Sequence, residues 1–360
     1  MSYRVIQWGT GNVGRHALRA IVERPDFELT GVRVYNPDKV GTDAADLLGG
    51  QPPTGVKATD DVDAILALDA DCVCYSPLGS TLDETGGPLD DICRLLASGK
   101  NVVSSAVEFH AYFPPGLAMK GAGDSHERIE RACAQGKSTF FHVGINPGFT
   151  MDMWPLHMSR LCGRIDHLHA IEVVDMTRYP SFHMVREIMG FGLPPDAPSA
   201  IDAHMGDVHE SAFYLSMRMI ADGLKVELGD VEYSREVAVT DEPISIAAGE
   251  IPAGTVAAVK FHYRGFINER PAITLEWIWR ITDSVAPEWP TGDSRWILRV
   301  EGNPSIESSI DIGTTEDAGR GTSIAVATLL LNAVPIVCEA PPGILDNLSL
   351  PSHGGGYFLP

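Results

Sequence analysis

Apolar and polar positions follow two different patterns along the chain. Between residues 4 and 142, short apolar runs that fit buried strands alternate with segments whose apolar residues recur at helical spacing. The runs are 4–8, 27–35, 70–75, 101–104 and 139–142, and the helical segments are 13–23, 88–98 and 124–135. Alternation of this kind predicts a parallel sheet covered by helices on both faces.

Residues beyond Pro147-Gly148 follow the second pattern. Strand-like segments lie at 166–174, 226–239, 254–267, 271–282, 294–302 and 306–312, and residues 184–220 are helical in parts. Apolar Leu275, Trp277 and Trp279 alternate with Glu276, Ile278 and Arg280. A period of two predicts a large, mainly antiparallel sheet with one face covered, which would serve as a substrate and dimer platform.

The two patterns predict an α/β protein, a doubly wound parallel sheet joined to an α+β domain. We place a first domain at 1–145 and a second at 146–318. Helical spacing returns at 319–338, before a loop-like tail. We expect residues 319–360 to return to the first domain.

Composition narrows the class of protein. The 360 residues, 44% hydrophobic and 21% charged, fit about two globular domains. A net charge of -21 argues against nucleic acid and anionic membranes as partners. The sequence lacks a signal-peptide pattern, and the apolar stretch 324–338 is short and contains Pro335. We therefore expect a cytoplasmic protein. Its six cysteines have neither zinc nor disulfide spacing, which predicts reduced thiols and no metal site.

A glycine motif follows the first predicted strand. The segment reads Gly9-Thr10-Gly11-Asn12-Val13-Gly14, with a helix after it. Glycines at these positions allow a tight turn, close approach of a pyrophosphate and close helix–strand packing. The helix N-terminus supplies unpaired N–H groups and positive potential. We predict an NAD(P) site of the Rossmann type here, to which Arg15 also contributes.

The end of the second strand bears on cofactor choice. An acidic residue there would bind the ribose 2′-hydroxyl of NAD. Here the strand ends in Tyr35-Asn36-Pro37-Asp38-Lys39, with neutral Asn36 at that position. We predict NADP, with NAD as the alternative. Lys39 would lie near the 2′-phosphate of NADP; the alternative for this residue is a solvated loop charge. Ser76, Pro77 and Leu78 follow another strand and should line the same groove.

Two further loops carry candidate chemistry. Glu108 follows the strand 101–104 and is flanked by Val107, Phe109 and Tyr112. An apolar setting raises a carboxyl pKa toward the range useful for proton transfer, which favours Glu108 as the catalytic acid–base group. The alternative is that Glu108 is a glutamate on a surface loop. Asn146 follows the strand 139–142, where it either binds cofactor or substrate or simply forms an Asn-Pro-Gly turn.

Several of these motifs together resemble one family. They are residues 4–14, Val34-Tyr35-Asn36-Pro37, the Glu108 loop, 144–149 and Met189-Gly190-Phe191-Gly192. The family is the dihydrodipicolinate-reductase-like group that includes 2,4-diaminopentanoate dehydrogenase and the native amine dehydrogenases. The likeness covers nearly the whole chain. Dihydrodipicolinate reductase itself fits poorly, because its His-His and lysine pattern is missing.

The resemblance implies an NAD(P)-dependent conversion between a primary amine and a small aldehyde or ketone plus ammonia. It implies that Glu108, which matches the family's catalytic glutamate, deprotonates and holds ammonia and stabilises an iminium charge. It also implies a homodimer formed through the C-terminal sheet. Apolar walls from Ile145, Met176, Tyr179 and Phe182 would favour small aliphatic substrates. The alternatives are a carbonyl or heterocycle reductase on the same scaffold and a non-catalytic NADP sensor.

Overall fold

The computed structural model describes residues 2–50, 52–77, 87–114, 117, 119, 122–179, 181–313, 321–350 and 354–355. Its strands are β1 (Tyr3–Trp8), β2 (Phe27–Arg33), β3 (Ala58–Thr59), β4 (Cys72–Tyr75), β5 (Asn101–Ser104), β6 (Thr139–His142), β7 (Arg164–Asp175), β8 (Val231–Val239), β9 (Ile244–Ile246), β10 (Gly249–Ile251), β11 (Val256–Ile267), β12 (Arg270–Arg280), β13 (Ser294–Asn303), β14 (Ile306–Asp311) and β15 (Gly343–Leu345). Its α-helices are α1 (Asn12–Glu23), α2 (Ala44–Leu48), α3 (Val62–Leu66), α4 (Gly87–Ala97), α5 (Ser125–Gly136), α6 (Met153–Ser159), α7 (Ala200–Gly206), α8 (Ala212–Gly223) and α9 (Gly321–Glu339).

The chain divides into two units. Residues 1–148 and 323–360 form the first, and residues 149–322 form the second. The boundaries expected from the sequence lay at 145/146 and 318/319. The first unit is thus built from both ends of the chain.

The first unit contains a parallel sheet. Its described strands lie in the order β15-β6-β5-β4-β1-β2-β3, and every pair is parallel. Helices α1 and α9 cover one face, where Ile21 and Leu330 belong to the same core cluster as Val5. Helices α4 and α5 cover the other, where Leu95 and Ile129 are fully buried. Burying each such side chain contributes about 1.5–3 kcal/mol. The predicted doubly wound α/β architecture is confirmed.

Helix α9 has the length and composition of a membrane span, with 39% of its most apolar window buried. The expected apolar stretch, 324–338, was shorter than the helix that forms, and Pro335 lies within it. Leu331, Val334 and Val337 of this helix belong to the same core cluster as Phe141 of β6. Burial against the sheet therefore accounts for the apolar side chains on this face of the helix.

The second unit contains a mixed sheet in the order β14-β13-β7-β12-β11-β8. Only β7 and β12 run parallel among its described pairs, so the sheet is mainly antiparallel, as predicted. Helices cover one face. The rings of Phe213 in α8 and Trp277 in β12 lie 4.9 Å apart, and the Tyr263 hydroxyl donates to the Met205 carbonyl oxygen at 2.7 Å.

The expectation that one face of this sheet is covered is wrong for β12, whose residues 273–280 are buried on both faces. The segment 281–293 covers the second face, where Trp289 packs with Ile171 and Ile278. Arg280, 1% exposed, holds this segment by donating to the carbonyl oxygens of Thr282, Val285 and Pro290. A paired arginine is thus buried at a position where the pattern indicated exposure.

Smaller differences concern the ends of elements. Strand β2 ends at Arg33 rather than Tyr35. Residues 343–345, expected to be loop, form β15 and pair in parallel with β6. The partly helical stretch resolves into a π-helix at His183–Ile188 followed by α7 and α8. All six cysteines are free thiols, and Cys72, Cys74 and Cys133 are buried.

Candidate active site

Four loops of interest leave the same edge of the parallel sheet. The glycine loop follows β1, Ser76-Pro77 follows β4, the Glu108 turn follows β5 and residues 144–148 follow β6. These strands are neighbours in the order β6-β5-β4-β1 and run parallel. Their carboxyl ends therefore meet along one edge, where open α/β sheets bind ligands. Leu78, also predicted here, lies outside the described residues.

The glycine loop has the geometry of a phosphate cradle. Gly9 has φ +91°, and a Cβ on Gly14 would come within 2.1 Å of the Gly9 carbonyl oxygen, so both positions require glycine. A Cβ on Gly11 would meet no atom within 4 Å, so open space lies above it. Gly11 is the N-cap of α1 and provides no side-chain cap. Because the N–H groups of Asn12 and Val13 begin the helix beside this space, the loop fits a pyrophosphate.

Gln7 supports this loop and was not predicted from the sequence. It is fully buried in β1, and its Nε2 donates to the Gly9 carbonyl oxygen at 2.8 Å and to Ser76 Oγ at 2.9 Å. Gln7 therefore links the glycine loop to the loop after β4. The available signal was an amide side chain within an apolar run, since buried parallel strands are usually apolar throughout.

Positive charge lies near the end of β2. Neutral Asn36 stands at the position where an acidic residue would bind the ribose 2′-hydroxyl of NAD. Asn36 Oδ1 accepts from the Asp38 N–H at 2.9 Å and caps the 3₁₀ turn Pro37–Lys39. Lys39 Nζ donates to Thr10 Oγ1 at 3.1 Å, which places its charge on the glycine loop. The guanidinium of Arg33, which was not predicted from the sequence, lies 4.6 Å from the Tyr35 ring centroid. Arg15, in the first turn of α1, is exposed.

Glu108 opens a 3₁₀ turn, Glu108–His110, just beyond β5. It is half-buried, whereas Val107 and Phe109 on either side are fully buried, as the apolar flanks suggested. Val107 has φ 59°, a left-handed conformation that is strained for a β-branched residue. The backbone around Glu108 is therefore tightly constrained.

Two buried histidines lie behind this turn. His110 Nε2 lies 3.2 Å from Ser125 Oγ, and His142 Nδ1 lies 3.0 Å from the Ala106 carbonyl oxygen. Burial, with a smaller effect of neighbouring His142 and His126, lowers the pKa of His110 to about 3. Burial likewise lowers the pKa of His142 to about 4. Both rings are therefore neutral near pH 7.

Ile145 and Asn146, both half-buried, lie in the loop after β6. The loop turns tightly, since a Cβ on Gly148 would come within 2.8 Å of the Gly144 nitrogen. Asn146 therefore lies at the sheet edge on a constrained backbone, next to the strand that precedes Glu108.

Comparison with known proteins shows the family to which the chain belongs. The family model for the 2,4-diaminopentanoate dehydrogenase C-terminal domain matches residues 149–354. An amine dehydrogenase of Streptomyces virginiae is 34% identical over 358 residues, 96% of this chain and 95% of the relative. The chain belongs to the amine and 2,4-diaminopentanoate dehydrogenase family. The resemblance seen in the sequence motifs, and with it the oxidoreductase class, is confirmed.

One further relative and one solved structure match almost the whole chain. The 2,4-diaminopentanoate dehydrogenase of Acetoanaerobium sticklandii is 25% identical over 362 residues, covering 97% of this chain and 93% of the relative. The structure of amine dehydrogenase from Mycobacterium smegmatis superimposes with a TM-score of 0.75 at 18% identity, covering 98% of this chain and 97% of that one. The second likeness shows the fold alone. Membership of this dehydrogenase family implies a nicotinamide cofactor.

The remaining predicted residues of this dehydrogenase lie in the second unit. Met176 is buried, Tyr179 is half-buried and Phe182 is 51% exposed. The Tyr179 N–H donates to the Met176 carbonyl oxygen at 3.1 Å, so these two residues share one turn after β7. Their role as substrate-pocket walls stays a prediction. Among the described residues, no group of histidine, cysteine and carboxylate side chains could hold a metal ion.

Proposed function

We propose that this enzyme catalyses the reversible reductive amination of small aldehydes and ketones with ammonia, using NAD(P)H. The observation that carries the proposal is the position of Glu108. A half-buried carboxylate stands on a constrained turn after β5, at the sheet edge that carries the glycine loop. In a family of amine dehydrogenases, a carboxylate at such a place can hold an amine.

The residues present suit each part of this reaction. The N–H groups of Asn12 and Val13, with the space over Gly11, would bind the pyrophosphate. A nicotinamide dinucleotide, when bound, supplies the hydride. The carboxylate of Glu108 would take a proton from ammonium, so that neutral ammonia attacks the carbonyl carbon. It would then return this proton to the hydroxyl group that leaves as water and, ionised again, would stabilise the iminium cation that remains. In the reverse direction the same carboxylate would hold the protonated amine.

Preference for NADP is part of the proposal. Lys39 Nζ rests on Thr10 and the Arg33 guanidinium lies beside Tyr35, so two cations lie near the end of β2. Neutral Asn36 stands where an acidic residue would repel a 2′-phosphate. These features favour the phosphorylated cofactor, and kinetic assays with NADPH and with NADH compare the two.

We further propose that the enzyme is a cytoplasmic homodimer formed through the mixed sheet. The six free thiols fit a reducing compartment. Relatives covering almost the whole chain are dehydrogenases, and the sequence resemblance implies the dimer. Light scattering of the purified protein measures its mass directly, and a monomer would contradict the dimer.

The deciding experiment follows oxidation of NADPH and NADH with a panel of small aldehydes and ketones, with and without ammonia. We expect oxidation that requires ammonia. Glu108→Gln should lower kcat by about 10²-fold or more, the scale of a lost acid–base group, while the KM for the cofactor changes little. Glu127→Gln, on an exposed pair in α5, is the matched control.

The other outcomes separate the alternatives. Oxidation that does not need ammonia would make the enzyme a carbonyl reductase. Tight NADPH binding without turnover on any substrate would favour a sensor. If Glu108→Gln keeps full activity and turnover still requires ammonia, the proposed reaction stands but Glu108 is not its acid–base group.

A further inference from the structure

The turn that carries Glu108 is strained and depends on support from outside itself. Strand β5 ends at Ser104, and Ala106 and Val107 lead into the 3₁₀ turn. Val107 has φ 59° and ψ 58°, a left-handed conformation that is strained for a β-branched residue. Such a conformation persists only where neighbouring groups fix it.

The first support acts on the carbonyl oxygen of Ala106. It accepts a hydrogen bond from Ser104 Oγ at 2.9 Å and one from His142 Nδ1 at 3.0 Å, while Ser104 Oγ accepts from the Ala106 N–H at 3.0 Å. Ser104 is fully buried and His142 is 2% exposed. Because a carbonyl only accepts, His142 must carry its proton on Nδ1, and the ring is fixed in one tautomer.

The second support acts on the other end of the turn. Ala111 caps the 3₁₀ turn, and its carbonyl oxygen accepts from Asn347 Nδ2 at 3.4 Å. Asn347 is 6% exposed and follows β15, which pairs with β6, the strand that ends in His142. The turn is thus held on one side by β5 and β6 and on the other by the returning C-terminal segment.

We propose that Ser104, His142 and Asn347 are positioning residues that hold the Glu108 carboxylate in place for the amine–carbonyl reaction. The inference rests on the proposed function of Glu108. None of the three is required to touch the substrate. They act by restricting the backbone on both sides of Glu108, and a displacement of about 1 Å at a catalytic group can lower the rate about 10²-fold.

The test uses the full-length enzyme and four variants. His142→Leu removes the donor to Ala106, and His142→Asn restores an N–H near the position of Nδ1. Asn347→Ala removes the donor to Ala111, and Ser349→Ala, on an exposed residue of the same segment, is its control. We expect kcat to fall about 10–100-fold in His142→Leu and Asn347→Ala, to recover in His142→Asn and to stay unchanged in Ser349→Ala. NADPH binding, followed by fluorescence, should be unaffected.

A double-mutant cycle distinguishes positioning from general destabilisation. If His142 and Asn347 act through Glu108, their removal should change kcat by less than about threefold in a Glu108→Gln background, because the group they position is already gone. An equal fall in both backgrounds, or full kcat in both single variants, would overturn the proposal. Absence of ammonia-dependent turnover in the unaltered enzyme would overturn the proposed function and, with it, the positioning role. Failure of the positioning role alone is read from the variants, so the two failures can be distinguished.

Discussion

The central strands of the two sheets differ in what they bury. Strand β4 of the parallel sheet reads Cys-Val-Cys-Tyr and is buried throughout. Strand β12 of the mixed sheet also has a long buried run, but that run includes Glu276 and Arg280. A strand can therefore be central either because its side chains are apolar or because each polar side chain has partners from other segments. Only the first case is visible as an apolar run in the sequence.

Removal of the buried arginine should have the largest effect on stability. Arg280→Met leaves the carbonyl oxygens of Thr282, Val285 and Pro290 without their charged donor and frees the segment 281–293. We expect the free energy of unfolding to fall by about 3–5 kcal/mol. Urea unfolding measures it. Arg299→Met, on a 47% exposed ion pair with Glu307, should cost less than about 1 kcal/mol. Equal small losses would mean that Trp289 alone holds the segment.

Truncation of an apolar side chain in the first unit should have the next largest effect. Leu331 of α9 is fully buried in the core between helix and sheet. Leu331→Ala should cost about 3 kcal/mol, from lost burial and the cavity left behind, at any pH between 4 and 8. Ile324→Ala, on a 37% exposed side chain of the same helix, should cost less than half as much. If the loss of stability in Leu331→Ala depended strongly on pH, apolar burial would not be what stabilises the first unit.

The smallest effect, and the one that depends on pH, should come from Glu276→Gln. Burial acts to raise the pKa of Glu276, but hydrogen bonds and charge interactions with His169 and His262 lower it from 4.5 to about 2. A carboxylate whose pKa is depressed in the folded state stabilises the fold above its unfolded pKa, and that contribution is lost as pH falls toward 2. We expect a loss of about 1–2 kcal/mol at pH 7.

The pH series decides this prediction. The difference between the unaltered protein and Glu276→Gln should shrink as the pH of urea unfolding is lowered from 5 to 3. Glu307→Gln, on a 70% exposed side chain, should give a small difference that barely changes with pH. A difference for Glu276 that is constant over this range would show that its charge is not the stabilising feature.

The apolar parts of the fold followed from the sequence. The strands β4, β5 and β6 and the helices α1, α4 and α5 lie close to their predicted ranges, because burial without polar groups produces continuous runs and helical spacing. Strand β15 was missed because it is three residues long and follows Pro341-Pro342, which indicated a tail. Its place is set by pairing with β6, and local sequence carries no signal for such a partner.

In the candidate site, too, only part of the residues could be predicted from the sequence. Gly9, Gly11 and Gly14 were expected because the local backbone dictates glycine. The supporting residues Gln7, His142 and Asn347 were missed because each acts on an atom in another segment, and a single polar residue in a sequence does not reveal its partner. The second face of the mixed sheet was missed for the same reason, since the alternating Glu276 and Arg280 suggested solvent rather than buried partners.

Because the first unit is built from both ends of the chain, it can be completed only late in synthesis. When the ribosome has completed residues 1–148, the glycine loop and Glu108 exist, but the core face formed by Val5, Ile21 and Phe141 still lacks α9. All of residues 149–322 must be made before that helix and Asn347 are available. A premature stop at position 346 or 347 would therefore spare Glu108, the glycine loop, α9 and β15 and still leave the Glu108 turn without one of its two supports.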